Sequence, residues 1–424
     1  MRRRPAKPHP TLSQPLTSRL SPPPLLPLLM GYLLVRAALG AALNPPLNGP
    51  DESAHVEYVR SLALHGLRGV TGVEARQPPL FYALAAIPWQ LATGQPEHTR
   101  AFVVRLLSAI CGVGTLALTW RIAVTIWPGH QLRAALAAML TLAPGHLFVL
   151  SSVNNDPLAS ALSALVVLAA LKLCLEPASW PRGALLAAAA LAALAAKLTA
   201  MPVVFGVAIA IVYCYRAVLR ASRLAVAVAG VGAVAGLAAY MWLLSISPTT
   251  SALAAAARFG PLAIVRGPLA YFTRGGFIES FRTWWYGYDY LVRWPAAVEA
   301  PLAVSAALVS LVAVWGLLIG WRSARLPAIV WLAALAQAVF VLSRYGFGDL
   351  LSIEMGGAAQ AKAFFSALAP LAVVFAAGLT GAAQRLGLSD RCLTIGMFVW
   401  LLALDAVSLS VTLWHHYRWW QIGV

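Results

Sequence analysis

The chain has 424 residues, 60% of them hydrophobic and 11% charged, with 31 Lys and Arg against 14 Asp and Glu. Soluble domains carry about 25% charged residues, so this composition excludes a soluble globular protein and a disordered one. Apolar runs of about 20 residues recur from end to end, the mark of a polytopic all-α membrane protein.

Residues 1–23 form a basic, proline-rich tail that reads as disordered. The apolar run from Leu25 to Leu43 is long for a signal peptide and is interrupted by Arg36, so it reads as a retained first span. The basic residues ahead of it predict a cytoplasmic N-terminus. Further spans are expected near 101–126, 133–150, 158–175, 183–197, 200–215, 224–245, 299–320, 326–343, 362–380 and 392–413. With the first span at 24–43 this makes about eleven transmembrane helices in one membrane domain over 24–413, and a short outer tail at 414–424.

The segment 79–94 is apolar but reads as interfacial. Sixteen helical residues reach about 24 Å, short of a hydrocarbon core of about 30 Å. Pro88 in its interior is expected to break the ladder. Leaving it uncounted also puts the short Arg-bearing loops inside, the positive-inside pattern. The outer face then carries long segments at 44–100 and 246–298, and a C-terminus outside. The basic excess lies beside spans, so nucleic-acid binding does not follow from it. The four cysteines, Cys111, Cys174, Cys214 and Cys392, lie in apolar runs without a CxxC pair and read as buried hydrophobes.

Few side chains here can carry chemistry. Asp51 and Glu52 follow the first span in NPPLNGPDESAH. His55, Tyr58, Val59 and Leu62 come next at i, i+3, i+4, i+7 spacing, which predicts an amphipathic helix on the membrane surface. Asp51 also suits a helix N-cap. Asp156 sits in the turn SSVNNDP beside Asn154 and Asn155, ahead of a helix opened by Pro157. Lys197 in LAAKLTAMP, Lys362 in GGAAQAKAFF and Arg344 add cations on the same side. Each also suits a snorkelling role, as do Arg36, Arg105, Arg121 and Lys172 near span ends. Acids and cations meeting at one membrane level mark a functional site. The aromatic run FIESFRTWWYGYDYLVRWP reads as an interfacial belt or as a wall for a sugar or lipid chain.

These pieces resemble the GT-C superfamily of membrane glycosyltransferases, nearest to the protein O-mannosyltransferases and the lipid A aminoarabinose transferases. The matching motifs are PDESAH, QPPLFYAL, VNNDPLASAL and AAKLTAMP, with weaker matches at ESFRTWWYGYDY and AQAKAFFSALAPLA. The resemblance implies two interfacial helices after the first span and location in a bacterial inner or plasma membrane. It implies cell-envelope transfer of a sugar from a polyprenyl-phosphate donor to a hydroxyl of a protein, lipid or polysaccharide. It implies Asp51 as base, Glu52 and Asp156 as further acids, and Lys197 and Lys362 as partners of the donor phosphate. His55, Asn155, Gln77, Arg105 and Arg344 complete the expected substrate-binding set. One departure is Ala361-Lys362-Ala363 where related sequences have Gly-Arg-Tyr, which keeps the charge but loses the bidentate fork. The chemistry requires no cofactor, although Asp51, Glu52, His55 and Asp156 form an oxygen-rich set of the kind that suits magnesium or manganese. The competing class is a transporter or lipid flippase, which needs ionisable groups near mid-membrane. Asp405, in LLALDAVSL, is the one acid deep in an apolar run, and nothing in the sequence explains it.

Overall fold

The computed structural model describes residues 25–67 (except 46, 48 and 50), 74, 77–215 (except 178), 268–287 (except 274), 294–350 (except 325) and 360–422. Among the described residues the elements are helical throughout. They are α1 (Leu25–Leu43), α2 (Glu52–His65), α3 (Leu80–Leu91), α4 (Glu97–Ile126), α5 (Gln131–Met139), α6 (Pro144–Leu150) and α7 (Asp156–Leu175). Then come α8 (Trp180–Ala196), α9 (Met201–Cys214), α10 (Gly276–Trp285), α11 (Ala296–Ala324), α12 (Ala328–Leu350), α13 (Leu368–Arg385) and α14 (Asp390–Ile422). A 3₁₀ segment, Ala361–Ala367, leads into α13.

Among the described residues six helices are long and apolar enough to cross a membrane, or seven if the bent α5–α6 pair is one span. The chain is therefore an integral membrane protein. The expected count of about eleven spans is not confirmed. The helices at Trp180–Ala196 and Leu198–Cys214 are shorter, and the expected span 224–245 lies outside the described residues, as does the tail 1–23. The last helix runs on to Ile422, through most of the expected outer tail.

Two local departures have plain causes. The expected single span at 133–150 is broken, its halves meeting at 62°. Pro144 opens α6 and forces Ala143 out of the helical region, to φ −53 and ψ 133. In α3, by contrast, Pro88 lies inside the helix without ending it. The helix is twelve residues long, about 18 Å, and remains too short to span. It packs Phe81, Tyr82, Ala85 and Trp89 against Val56, Tyr58, Val59 and Leu62 of α2, so the expected amphipathic face is the one buried. The two helices form a platform beside the bundle end where α4 and α7 begin.

Small residues let the spanning helices approach closely, as they do where dispersion rather than water exclusion drives association. A Cβ on Gly316 of α11 would fall 1.9 Å from the Gly378 carbonyl of α13, and one on Gly378 would fall 2.2 Å from the Ala313 carbonyl. Arg133 and Asp390, both expected on the inner side, pair at 2.9 Å at the end of the bundle opposite the platform.

Asp405 now has a partner. Arg36 of α1 does not snorkel. It donates from Nε to Asp405 Oδ2 at 2.6 Å and from Nη2 to Oδ1 at 3.0 Å, and Tyr32 adds a third donor at 3.0 Å. Both side chains are buried, at 8% and 5% exposure, so removing one partner leaves the other buried without it. Asp405→Leu alone is expected to lower stability by about 3–5 kcal/mol, and Arg36→Met with Asp405→Leu to recover most of it. Thermal unfolding of the purified protein in detergent measures both, and equal melting of the single variant and wild type would show the pair to be inert.

Candidate active site

The site begins where α1 ends. Arg105 of α4 turns toward the end of α1 and uses all five of its N–H groups. Nη1 donates to the carbonyls of Ala41 (2.7 Å) and Asn44 (3.0 Å), and Nη2 to that of Pro45 (3.0 Å). These are carbonyls that a helix terminus leaves without intrahelical partners. Nε and Nη2 then grip the two oxygens of Glu52, each at 2.7 Å. Glu52 also accepts from the backbone N–H of Gly49 at 3.0 Å and of Val153 at 2.7 Å. Glu52 is fully buried and both its oxygens are occupied. The expected roles of Glu52 in catalysis and Arg105 in substrate binding are therefore not what this geometry supports. Together they join α1, α2, α4 and the 151–155 turn.

Asp51 stands one residue before this pair. It occupies the N-cap of α2 with φ 61 and ψ 10, the left-handed region that a non-glycine residue adopts rarely. Its carboxylate makes no cap hydrogen bond. It points outward, half-exposed, and Lys362 Nζ donates to Oδ2 at 2.5 Å. Burial alone would push this carboxyl up, but Lys362, helped by His55 and Lys197, holds it below the usual carboxylate value.

Lys362 lies on the 3₁₀ segment, which is pinned from three sides. Thr283 Oγ1 of α10 accepts from the Ala361 N–H at 2.8 Å, Gln337 Nε2 of α12 donates to the Ala363 carbonyl at 2.6 Å, and Ser366 and Thr199 hydroxyls meet at 3.2 Å. Thr283 is itself set by α6. A Cβ on Gly145 would fall 1.7 Å from the Thr283 carbonyl, so only glycine permits this approach.

The second pair joins Asp156 Oδ2 and Lys197 Nζ at 2.8 Å. Asn154 Oδ1 accepts from the Asp156 N–H at 2.8 Å, so Asn154 shapes the turn before α7. Asn155 Nδ2 reaches the Ala196 carbonyl only at 3.5 Å. Asn154 Nδ2 and Asn155 Oδ1 are buried without hydrogen-bond partners. Lys197 ends α8 in extended conformation, which frees its side chain to turn toward α7.

Behind Asp51, His55 shares a 2.8 Å hydrogen bond with Tyr82 Oη of α3, and Tyr58 stacks on Tyr82 at 3.7 Å. Burial first, then Lys197 and Lys362, drive the His55 pKa down to about 3. His55 is therefore neutral through the physiological range. Gln77 enters through its backbone, whose carbonyl accepts from Tyr58 Oη at 3.3 Å. Glu74, absent from the expected set, is coupled electrostatically to Lys197, Asp51, Lys362 and Asp156. The structure thus gathers Asp51, Asp156, Lys197, Lys362 and His55 as one cluster, and adds Glu74, Asn154 and Tyr82. The side chain of Arg344 lies outside the described residues. No group of three or more His, Cys, Asp and Glu among the described residues is arranged to hold a metal ion. The oxygen-rich set expected for magnesium or manganese does not fit: Glu52 is closed by Arg105, and lysines hold both aspartates.

An apolar groove of about 290 Å³ adjoins the lysine segment. Phe364 of that segment lines it with Tyr271, Phe277, Trp284, Trp285 and Phe375. The aromatic run over 277–285 thus forms a wall, while 288–293 lie outside the described residues. A cavity of about 370 Å³ at the other end of α4, lined by Trp127, His130 and Arg133, is remote from the cluster. Some 21 helical residues separate Arg105 from Ile126, about 30 Å.

The two acids at the α2 start should separate in a stability assay. Glu52→Gln leaves a buried guanidinium without its counter-ion and is expected to cost about 3–5 kcal/mol. Asp51→Asn keeps a residue that tolerates the left-handed region and gives up only a half-exposed pair, for a change within about 1 kcal/mol. Unfolding in detergent compares them directly, and equal losses would contradict the division between frame and site.

No family model matches the chain, and no curated protein matches it. Among solved structures, ArnT from Cupriavidus metallidurans in the apo state is similar at 17% identity and TM-score 0.39, covering 85% of this chain and 77% of that one. The same protein bound to undecaprenyl phosphate is similar at the same identity and TM-score, covering 85% of this chain and 78% of the other.

Proposed function

We propose that the chain is a membrane glycosyltransferase of the GT-C type. In this reading it moves a sugar from a polyprenyl-phosphate donor to an acceptor hydroxyl on the outer face, with inversion and Asp51 as base. One observation carries the reading. Two lysine–carboxylate pairs, Lys362–Asp51 and Lys197–Asp156, meet beside an apolar aromatic groove at one end of a helical membrane bundle. Such a place suits a molecule with an anionic head and a long apolar tail.

The chemistry follows from the charges. Lysine is a point charge on a flexible stem, so an incoming phosphate can draw Lys362 and Lys197 from their carboxylates. Asp51, released from Lys362, is then free to accept the proton of the acceptor hydroxyl. The hydroxyl oxygen attacks the anomeric carbon while the carbon–oxygen bond to phosphate breaks on the opposite face, which inverts the configuration. Its electron pair leaves on the phosphate, where the lysines stabilise the added charge. The leaving group is already an anion, so no general acid and no cofactor are required. Acceptors of this type are hydroxyls of a protein, lipid or polysaccharide.

A transporter or flippase is favoured by two features, the buried Arg36–Asp405 pair and the bent α5–α6 pair. Both are accounted for otherwise. The ion pair ties α1 to α14 by a two-point contact, and the bend delivers Gly145 to Thr283 at the site.

Purified protein supplied with a panel of polyprenyl-phosphate sugars should release polyprenyl phosphate with at least one donor. Asp51→Asn should reduce turnover by about 10²–10⁴-fold while melting like wild type. Lys362→Met should weaken donor binding. Wild-type turnover by a well-folded Asp51→Asn protein would sink the base assignment, and uptake by proteoliposomes without any transfer product would favour the transporter.

A further inference from the structure

The end of the bundle opposite the platform holds a cavity that the transfer reading does not use. Its volume is about 370 Å³, within the range of sites that take a small ligand. About 30 Å of α4 lies between it and Arg105. Its wall begins where α4 stops at Ile126 and a four-residue turn leads into α5. Gly129 in that turn has φ 83, which a residue with a Cβ rarely adopts. The His130 N–H donates to the Trp127 carbonyl at 3.1 Å, so the turn is closed with Trp127 and His130 on the cavity wall. From α13 come Thr380, Gly381 and Gln384. A Cβ on Gly381 would fall 2.7 Å from the Gly316 carbonyl, so α11 and α13 touch backbone to backbone alongside the cavity.

The polar groups on this wall are only partly used within the protein. Arg133 gives Nε to Asp390 Oδ2 at 2.9 Å. Among the described residues no other acceptor takes this guanidinium, so four of its five N–H groups remain. Thr380 Oγ1 donates to the Ala376 carbonyl at 2.8 Å and keeps its lone pairs. The His130 and Gln384 side chains have no hydrogen-bond partner among the described residues. The Arg133–Asp390 pair is 19% and 26% exposed, so the fork is held in a partly desolvated place with its Nη edge uncommitted. Arg385 follows Gln384 and Arg391 follows Asp390, both exposed. Three arginines against one aspartate leave this end net positive.

The Nη edge of a fixed guanidinium matches two oxygens of one tetrahedral anion. Imidazole and amide groups beside it can share the remaining oxygens, and tryptophan is a side chain that settles at headgroup level. Basic pockets between membrane helices take anionic headgroups, most of all on the cytoplasmic side, where the arginine-bearing loops are expected. We propose that this cavity is a second binding site, separate from the lysine cluster, for a phosphate ester. Arg133 holds the phosphate through Nη1 and Nη2, and His130 and Gln384 bind its other oxygens. Asp390 is a positioning residue that fixes the fork through Nε. The phosphate is carried on the headgroup of an anionic lipid in the adjoining leaflet or comes free from solution, and the two sources are separable by experiment.

The test uses the full-length protein carrying Lys362→Met, which removes a phosphate contact at the other end of the bundle. Native mass spectrometry counts bound phosphatidylglycerol and phosphatidylcholine, and calorimetry follows titration with inorganic phosphate. One phosphatidylglycerol per chain should be held in preference to phosphatidylcholine. Arg133→Gln should weaken its binding by about 10–100-fold. Arg182→Gln, at the same end but outside the cavity, should not. His130→Ala with Gln384→Ala breaks no hydrogen bond among the described residues. That double variant should melt like its parent and bind several-fold more weakly, which keeps the test valid if Arg133→Gln fails to fold. Saturable binding of inorganic phosphate with the same dependence, and no preference for phosphatidylglycerol, supports the site with free phosphate as its ligand. Lack of any preference among these three probes, or equal losses from Arg133→Gln and Arg182→Gln, overturns the site. Sugar transfer plays no part in these readouts, so this proposal and the transferase reading fail separately.

Discussion

The closed ion pair between Glu52 and Arg105 is the constraint on which the site hangs. A guanidinium with five N–H donors satisfies three carbonyls around the end of α1 and both oxygens of a buried carboxylate. The same carboxylate takes the N–H of Val153 from the turn that leads to Asp156. One interaction thereby sets the distance between the end of the first helix and the start of α7. Asp51 and Asp156, each beginning a helix, face one cluster because of it. Burying such a pair is a poor source of net stability. Its use here is geometric.

The ion pairs of this protein divide by the cation that makes them. Arg36–Asp405 and Arg105–Glu52 are bidentate and buried. A planar fork suits a carboxylate that is meant to stay where it is. Lys362–Asp51 and Lys197–Asp156 each rest on one nitrogen and one oxygen. A lysine can exchange one anion for another without dismantling a fork, as the proposed phosphate-binding role requires.

Much of this was legible in advance, and the failures have reasons. The α2 face over His55, Tyr58, Val59 and Leu62 was visible because amphipathic spacing reports burial directly. Asp51, Asp156, Lys197 and Lys362 stood out because charge is scarce among apolar runs. The framing role of Glu52 and Arg105 is not legible in sequence, because residue type does not say whether a carboxylate is saturated. Asp405 had no explanation because its partner lies 369 residues away. Nothing in the residue pattern around Glu74 singles it out, and only its electrostatic neighbours make it unusual. A polar residue inside an apolar run was a usable signal at Gln337, whose amide pins the Lys362 segment. The break at Ala143 was readable from Pro144, had the proline been weighed against the hydropathy.

The sequence by itself determined that this is an all-helical membrane protein, that a surface helix follows the first span, and that acids and lysines collect near one end of the bundle. Hydropathy and periodicity are local properties, so a one-dimensional reading recovers them. Only the tertiary structure decided which acids are closed by arginine and which are paired with lysine. Those distinctions depend on distances between residues from 41 to 369 positions apart. Electrostatics in a low-dielectric interior is governed by such distances, and sequence order does not carry them.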